Sequence, residues 1–364
     1  MTDTEALQKK PCPACGADVA WDPGKGTLTC PYCGTPMESP PAGEGAEVVE
    51  HDLGEALRSL PAEKSGWQEQ KRSVKCQSCR AISVFDPERA AQRCDFCGSP
   101  AIAPYEDERD VVRPESVLPF QVSETRVRES IRQWYRSRWF APNRLKKEAM
   151  TDTLKGIYLP YWTFDARADA QWTAESGYYY YERETVRTSE GKTESRQVRK
   201  VRWEPSSGRL QHFFDDDLVP GTVGTDGTLL KQIEPFPTRE LQPYDPSFVR
   251  GWVVERYQVD LGQAAGRSQE QMDQELRSLC AAQVPGDTHR NLQVRARYSE
   301  RTFKHVLLPV WLLAYTYGPR VFQVLLNGYT GKIAGRHPYS WVKITLAVLA
   351  VVLLVLILSM LKSK

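Results

Sequence analysis

An α+β fold is predicted by three observations: one cysteine spacing used twice near the start of the chain, strand-like segments rich in Tyr, Trp and Val between turn signals, and one long apolar run near the end. They divide the 364 residues into two N-terminal zinc ribbons, a mixed α+β (β-rich) domain and one C-terminal transmembrane helix.

Cys12-Pro-Ala-Cys15 and Cys30-Pro-Tyr-Cys33 are separated by fourteen residues, and so are Cys76-Gln-Ser-Cys79 and Cys94-Asp-Phe-Cys97. A structural zinc ion takes four soft or borderline ligands in a tetrahedron, and each Cys-x-x-Cys turn supplies two thiolates. Gly16, Gly34 and Gly98 follow the second cysteine of three turns, where the backbone must bend back towards sulfur; Arg80 holds that place in the other. Modules of about 30 residues bury too little apolar surface to fold alone, so metal has to supply the missing stability, roughly 10–16 kcal/mol per site. Disulfides or a redox dithiol are the competing readings of these cysteines. The expected ribbons span residues 9–40 and 71–105, with two zinc ions held by Cys12, Cys15, Cys30, Cys33 and by Cys76, Cys79, Cys94, Cys97. Eight of nine cysteines are then reduced thiolates, which implies a cytoplasmic setting for this end of the chain.

The Pro- and Gly-rich ESPPAGEGAE leads into an acidic linker, residues 41–70, with two basic against seven acidic side chains. Within it Val49, Leu53, Leu57 and Leu60 line one face of a short helix that Pro61 ends. That helix either packs on the second ribbon or offers a docking face to a partner.

Residues 111–338 read as an α+β scaffold. A helix over Glu124–Arg138, capped by Ser123, turns Val127, Ile131, Trp134 and Tyr135 to a core and Arg126, Arg128, Arg132 and Arg136 elsewhere. Tyr178–Thr188 and Thr193–Trp203 flank Ser-Glu-Gly-Lys as a long antiparallel hairpin, and Pro205-Ser-Ser-Gly208 and Gly331-Lys332 are read as turns. Met272, Leu276, Leu279 and Cys280 recur at helical spacing, which makes the ninth cysteine a buried structural thiol. Leu154–Trp162 aligns with Phe303–Trp311 around a shared Leu-Pro-x-Trp, and each copy follows an expected helix, so the scaffold is read as two related units.

The membrane segment is placed at 341–361. From Ile344 to Leu361 only Thr345 and Ser359 are polar, giving 18 residues, or about 27 Å of helix, close to a bilayer core. Tyr339 and Trp341 suit an aromatic belt, and Lys343, Lys362 and Lys364 can snorkel. The N-terminal sixteen residues lack the apolar run of a secretory signal, so insertion as a single-pass tail anchor is expected, with the bulk of the chain in the cytoplasm.

Net charge is +2, but residues 1–110 carry 12 basic against 19 acidic side chains, a poor start for binding a phosphate backbone. The second ribbon, with six basic against three acidic residues, is the exception. Glu190-Gly-Lys-Thr193 ends like a phosphate-binding loop, yet Val186 stands where that loop needs glycine and no helix follows. Neither a His-Glu-x-x-His helix nor a Gly-x-Ser-x-Gly elbow is present. Asp215-Asp-Asp217 is the remaining candidate for a divalent ion or a hydrolase centre, with a surface loop as the plainer reading, and the five histidines define no site by spacing.

CQSCRAISVFDPERAAQRCDFCGSP, KGIYLPYWTFDA, WEPSSGRLQHFFDDDLVPGT and LLNGYTGKIAG together resemble a family of bacterial zinc-ribbon proteins with one C-terminal membrane span, often labelled as related to the zinc-binding part of the primosomal helicase. The resemblance implies Cys76, Cys79, Cys94 and Cys97 as ligands with a further ribbon at Cys12, Cys15, Cys30 and Cys33, and membrane-organising or membrane-stress partners. Helicase activity itself needs a phosphate-binding loop and motor domains, which this sequence lacks. The expected function is a non-enzymatic, membrane-anchored adaptor that docks cytoplasmic or membrane proteins at the lipid bilayer. The alternative is a membrane-tethered nucleic-acid binder that uses the second ribbon and the arginines of 126–138.

Overall fold

The structure, a computed structural model, describes residues 11–37, 48–59, 72–85, 93–105, 112–142, 154–187, 193–317 and 320–362. The first ribbon is a separate three-stranded sheet of β1 (Ala20–Asp22), β2 (Thr27–Thr29) and β3 (Pro36–Met37). The linker contributes β4 (His51–Asp52) and helix α1 (Leu53–Ser59), and the second ribbon β5 (Arg72–Cys76), β6 (Ile82–Phe85) and β7 (Ile102–Pro104). Then come β8 (Ser116–Val117), α2 (Glu124–Arg136), β9 (Leu154–Arg187), β10 (Thr193–Pro220), α3 (Gly227–Ile233), β11 (Gln242–Pro243), α4 (Pro246–Val249) and β12 (Val253–Glu255). Helix α5 (Leu261–Gln283), β13 (Thr288–Tyr317), β14 (Arg320–Asn327), β15 (Ile333–Gly335) and α6 (Trp341–Lys362) follow. The mixed α+β, strand-rich architecture with one apolar C-terminal helix is the one the sequence predicts.

Among the described residues, all strands outside the first ribbon join one sheet, whose central order is β11-β8-β13-β9-β12-β6-β5-β7. Two very long strands carry it: β9 pairs antiparallel with β13 from Leu154 opposite Leu313 to Gly177 opposite Thr288. The aligned Leu-Pro segments therefore lie side by side, and their equivalent leucines, Leu159 and Leu308, face each other across the ladder. Around that pair the two units mirror one another. The parallel strand β12 joins β9 at Ile157 and Tyr158, while β8 joins β13 at the equivalent Val306 and Leu307. The indole of Trp162 donates to Val259 O at 2.9 Å just before α5, and the indole of Trp311 donates to Val122 O at 2.9 Å just before α2. Each unit thus lends its short strand and its helix entry to the other unit's long strand, which gives the duplication a physical form.

Several local expectations change. Pro205-Ser-Ser-Gly208 is not a turn; it lies inside β10, where Pro205 opposes Glu175 and Gly208 opposes Trp172. Because β10 is an edge strand it tolerates proline, and a Cβ at Gly208 would sit 2.5 Å from the Trp172 ring that covers it. Helix α2 buries Val127, Ile131, Trp134 and Tyr135 as expected, but the Ser123 side chain makes no capping hydrogen bond. Of the linker stripe, only Leu53 is buried, packed with Trp162 and Phe303 of the scaffold rather than on the second ribbon; Val49 and Leu57 are exposed. Leu60, Pro61 and the Ser-Glu-Gly-Lys turn lie outside the described residues. Helix α5 buries Met272, Leu276 and Cys280 across β9, β10 and β13, and burial pushes the Cys280 thiol up, as befits a structural cysteine. The turn at Gly331, with φ +79°, links β14 to β15 as expected.

Candidate metal centres

All four Cys-x-x-Cys turns have one geometry. The residue after the second cysteine adopts positive φ in each: Gly16 at 74°, Gly34 at 73°, Gly98 at 72° and Arg80 at 66°. Its amide donates to the carbonyl of the first cysteine, at 2.8 Å for Gly16, 2.9 Å for Gly34 and Gly98, and 3.0 Å for Arg80. Arg80 adopts the same bend with a side chain, a conformation that carries strain for any L-residue.

These turns bring the eight cysteines into two groups of four, with the sulfurs of each group within 4.8 Å of one another. Cys12 lies 3.5 Å from Cys33 and Cys15 3.5 Å from Cys30; in the second group Cys76–Cys97 is 3.6 Å and Cys79–Cys94 is 3.5 Å. A tetrahedron with metal–sulfur bonds of about 2.3 Å has edges of about 3.8 Å, so both groups fit a four-coordinate ion. Protons alone serve them poorly. Cys79 and Cys94 share one: the Cys79 thiol is pushed far up by its contact with Cys94, whereas Cys94 is pulled down to about 5 by the hydrogen bond from Cys79. A divalent cation would replace such shared protons and ionise all four sulfurs.

Neither group hangs free of the scaffold. In the first, Cys12 and Cys30 are buried with Trp21, whose indole donates to Phe120 O at 2.6 Å and whose ring lies 5.3 Å from Phe248; Asp18 pairs with Arg250 at 3.2 Å. The second is joined more deeply. Strand β6 pairs with β12, which pairs with β9, and Phe96, between Cys94 and Cys97, is fully buried beside Leu118, Ile157 and Leu159. Buried Asp95 pairs with Lys155. The two groups are therefore not independent of the scaffold: Cys15 and Cys33 face solvent and Cys79 and Cys97 are half-buried, while Cys12, Cys30, Cys76 and Cys94 belong to its cores.

A polar seam that sequence spacing could not reveal fastens the linker to β13. Lys304, with a side chain 8% exposed, pairs with Asp216 at 2.8 Å and Glu50 at 3.1 Å. Thr302 donates to Asp165 at 2.9 Å, and Asp165 accepts from the Asp216 amide at 2.6 Å. Next to it His51 lies 3.3 Å from Glu115, which accepts from the His305 amide at 2.7 Å. Glu115 thus joins the His51 ring of the linker to the His305 backbone of the scaffold, while the His305 ring lies 3.0 Å from Val112 O and stacks on Trp162. His305 is held neutral, its pKa lowered to about 4 by burial. The Asp215–Asp217 candidate comes apart: a bulge between Phe214 and Asp217 aims Asp216 at Lys304, while Asp217 accepts from Ser268 at 2.6 Å.

Burial raises Glu115 to about 7, against the amides that hydrogen-bond to it. Between about pH 4.5 and pH 7 the folded chain therefore holds a proton that the unfolded chain has released, and this group's contribution to stability falls as pH rises through that window. Glu115→Gln keeps an acceptor for the His305 amide and offers His51 an N–H. The variant should gain about 1–3 kcal/mol over the parent at pH 8 and nothing at pH 4. Denaturant unfolding in detergent at the two pH values checks this; an equal effect at both would exclude the titration.

No family model matches the chain, and no solved structure matches it. Over 342 residues it is 24% identical to the uncharacterized protein YdjG of Bacillus subtilis (strain 168), a similarity that covers 90% of this chain and 89% of the relative.

Proposed function

We propose that the chain is a non-enzymatic, membrane-anchored zinc-ribbon adaptor of the bacterial cytoplasm, with zinc in both four-cysteine groups, α6 in the bilayer, and partner proteins docked on its far end. One observation carries this reading: an unburied helix long and apolar enough to span a membrane and a free hairpin arm lie at opposite ends of the same strand pair. Helix α6 follows β15, at the end where Leu154 opposes Leu313. The arm begins after Gly177, beyond which, among the described residues, β9 and β10 pair only with each other, after a strand contour of roughly 75 Å. From Tyr178 to Arg187 the two-stranded ribbon adds about 33 Å. Such an arm contributes nothing to a core, and one face of it is composed for binding. Register puts Tyr179, Tyr181, Arg183, Gln197, Arg199 and Val201 together without a carboxylate, Tyr181 is 65% exposed, and the Arg199 guanidinium lies 4.4 Å from the Tyr179 ring centre. On the opposite face Lys200 is neutralised by Glu182 at 2.6 Å and Glu184 at 2.8 Å.

The same strip favours the second reading, a membrane-tethered nucleic-acid binder, because tyrosine and arginine alternating on a ribbon can stack on unpaired bases. The strip adds to it what the second ribbon, whose inner side is buried, and Arg128 of α2, paired with Glu124 at 2.6 Å, do not supply. Purifying the tagged full chain from native membranes in gentle detergent, beside a Tyr179→Ser, Tyr181→Ser, Arg199→Ser variant, tests both. The adaptor reading expects a stoichiometric protein that survives nuclease and is lost from the variant. Submicromolar affinity of the parent for a labelled single strand, with a steep salt dependence, would reverse the ranking.

A further inference from the structure

A second aromatic group sits at the foot of α6, contributed by a segment far away in sequence. After α2 the chain turns outward through Trp139 and Phe140, which are 79% and 40% exposed and stacked with ring centres 6.4 Å apart. This turn is fastened to the start of α6. The Ser340 amide donates to Phe140 O at 2.7 Å, and Lys343, on the first turn of the helix, donates to Trp139 O at 3.0 Å and Ala141 O at 2.8 Å. On the other side of the junction Tyr339 and Trp341 are 61% and 79% exposed, and His337 bridges back to α2, 5.0 Å from Tyr339 and 5.7 Å from Trp134.

From this geometry we infer that Trp139 and Phe140 enter the headgroup layer of the leaflet that α6 enters, beside Tyr339 and Trp341, so that the soluble domain is held to the membrane at two separate points. The inference rests on the reading of α6 as a membrane span. Three observations select lipid as the occupant. First, the turn cannot part from the helix foot without breaking three hydrogen bonds, so its depth follows that of Trp341. Second, exposed Trp, Tyr and Phe in a ring around a span have the composition of an interfacial belt, where an apolar ring and a polar edge are both satisfied. Third, the last turns of α2 carry Arg132 and Arg136, and Arg138 follows just beyond its end, with no acidic residue after Glu129 in the helix, so the adjoining surface is suited to anionic headgroups. A single span leaves a domain free to tilt and rotate about the helix axis. A second attachment removes that freedom, and the arm then points in one direction from the bilayer.

The full chain, reconstituted in phosphatidylcholine–phosphatidylglycerol vesicles whose acyl chains are brominated near the headgroup, provides the test. The chain has ten tryptophans, so the measurement is a difference between variants. Trp139→Phe should remove a share of the lipid-quenched emission comparable with that removed by Trp341→Phe, and the unquenched emission of the buried tryptophans should stay unchanged in both. If Trp341→Phe reduces quenching and Trp139→Phe does not, the span reading stands and this inference is overturned, leaving the turn to face a protein partner. If neither variant alters quenching, the span reading fails and the inference with it.

Discussion

Cys76→Ser is expected to lower bound zinc from two ions per chain to one and to destabilise the whole scaffold, not the second ribbon alone. Cys76 closes β5, and from there one continuous ladder runs through β6 and β12 to β9. The core beneath it combines Cys76, Ala81, Cys94 and Phe96 with Leu118, Ile157, Leu159 and Leu230. A structural zinc site is worth roughly 10–16 kcal/mol to an isolated finger, as much as the entire net stability of a typical domain, about 5–15 kcal/mol. Even if half of that is recovered by scaffold packing, a loss of about 5 kcal/mol or more should follow. Cys15→Ser makes the contrast, since Cys15 is exposed and the first ribbon's sheet is separate. It should lose its metal with a much smaller shift in the scaffold's unfolding midpoint. Elemental analysis and thermal unfolding of detergent-purified protein measure both. Parent protein with fewer than two zinc ions would remove the premise, and a Cys76→Ser scaffold as stable as the parent would show that the second ribbon is dispensable to the core.

Lys304→Met should cost about 3–5 kcal/mol at neutral pH, because it strips the cation that pairs with both Asp216 and Glu50 and leaves Asp165 beside them. Asp165 is 4% exposed, and burial has already raised its pKa to about 6. Without Lys304 the cluster can relieve repulsion only by taking up protons, so the deficit should shrink as pH falls from 8 towards 5. Denaturant midpoints at pH 8 and pH 5, with Lys304→Arg as a charge-preserving control, give the answer. A deficit below about 1 kcal/mol at pH 8, or one that does not change with pH, would mean that solvent already screens the seam.

The parts of this architecture that were legible in the sequence are those in which chemistry is local. Cysteine spacing places each metal group because a Cys-x-x-Cys turn is complete within a few residues, and Gly16, Gly34 and Gly98 already mark the required φ. Helix α6 is legible because its composition is uniform, and α2 and α5 because their buried residues recur at 3.6-residue spacing. The Leu-Pro-x-Trp repeat also came through, although nothing in it indicates that the two copies pair with each other. What escaped depends on partners distant in the chain. Strand β12 is three buried residues, too short to announce that it ties the second ribbon to the scaffold. Pro205 and Gly208 carry turn chemistry, and only the Trp172 ring across the ladder explains why the strand runs on. Glu115, His51 and His305 come from three segments with no common pattern, so their meeting has no sequence signal.

The exchange of short strands between the two scaffold units has a consequence for biosynthesis. Neither unit is a foldable half. Val117, opposite Gln242 on one side, gains its partner on the other only when Leu307 has been made, and Ser83, already opposite Val74, gains its second only when Glu255 has. During translation the ribbons can capture metal at once, since all their ligands emerge together, but the nascent chain behind them must carry the unpaired edges of β6 and β9 until the second unit arrives. Final closure is thus a late event of high contact order, in which the last strands to leave the ribosome complete a sheet begun by the linker and the second ribbon.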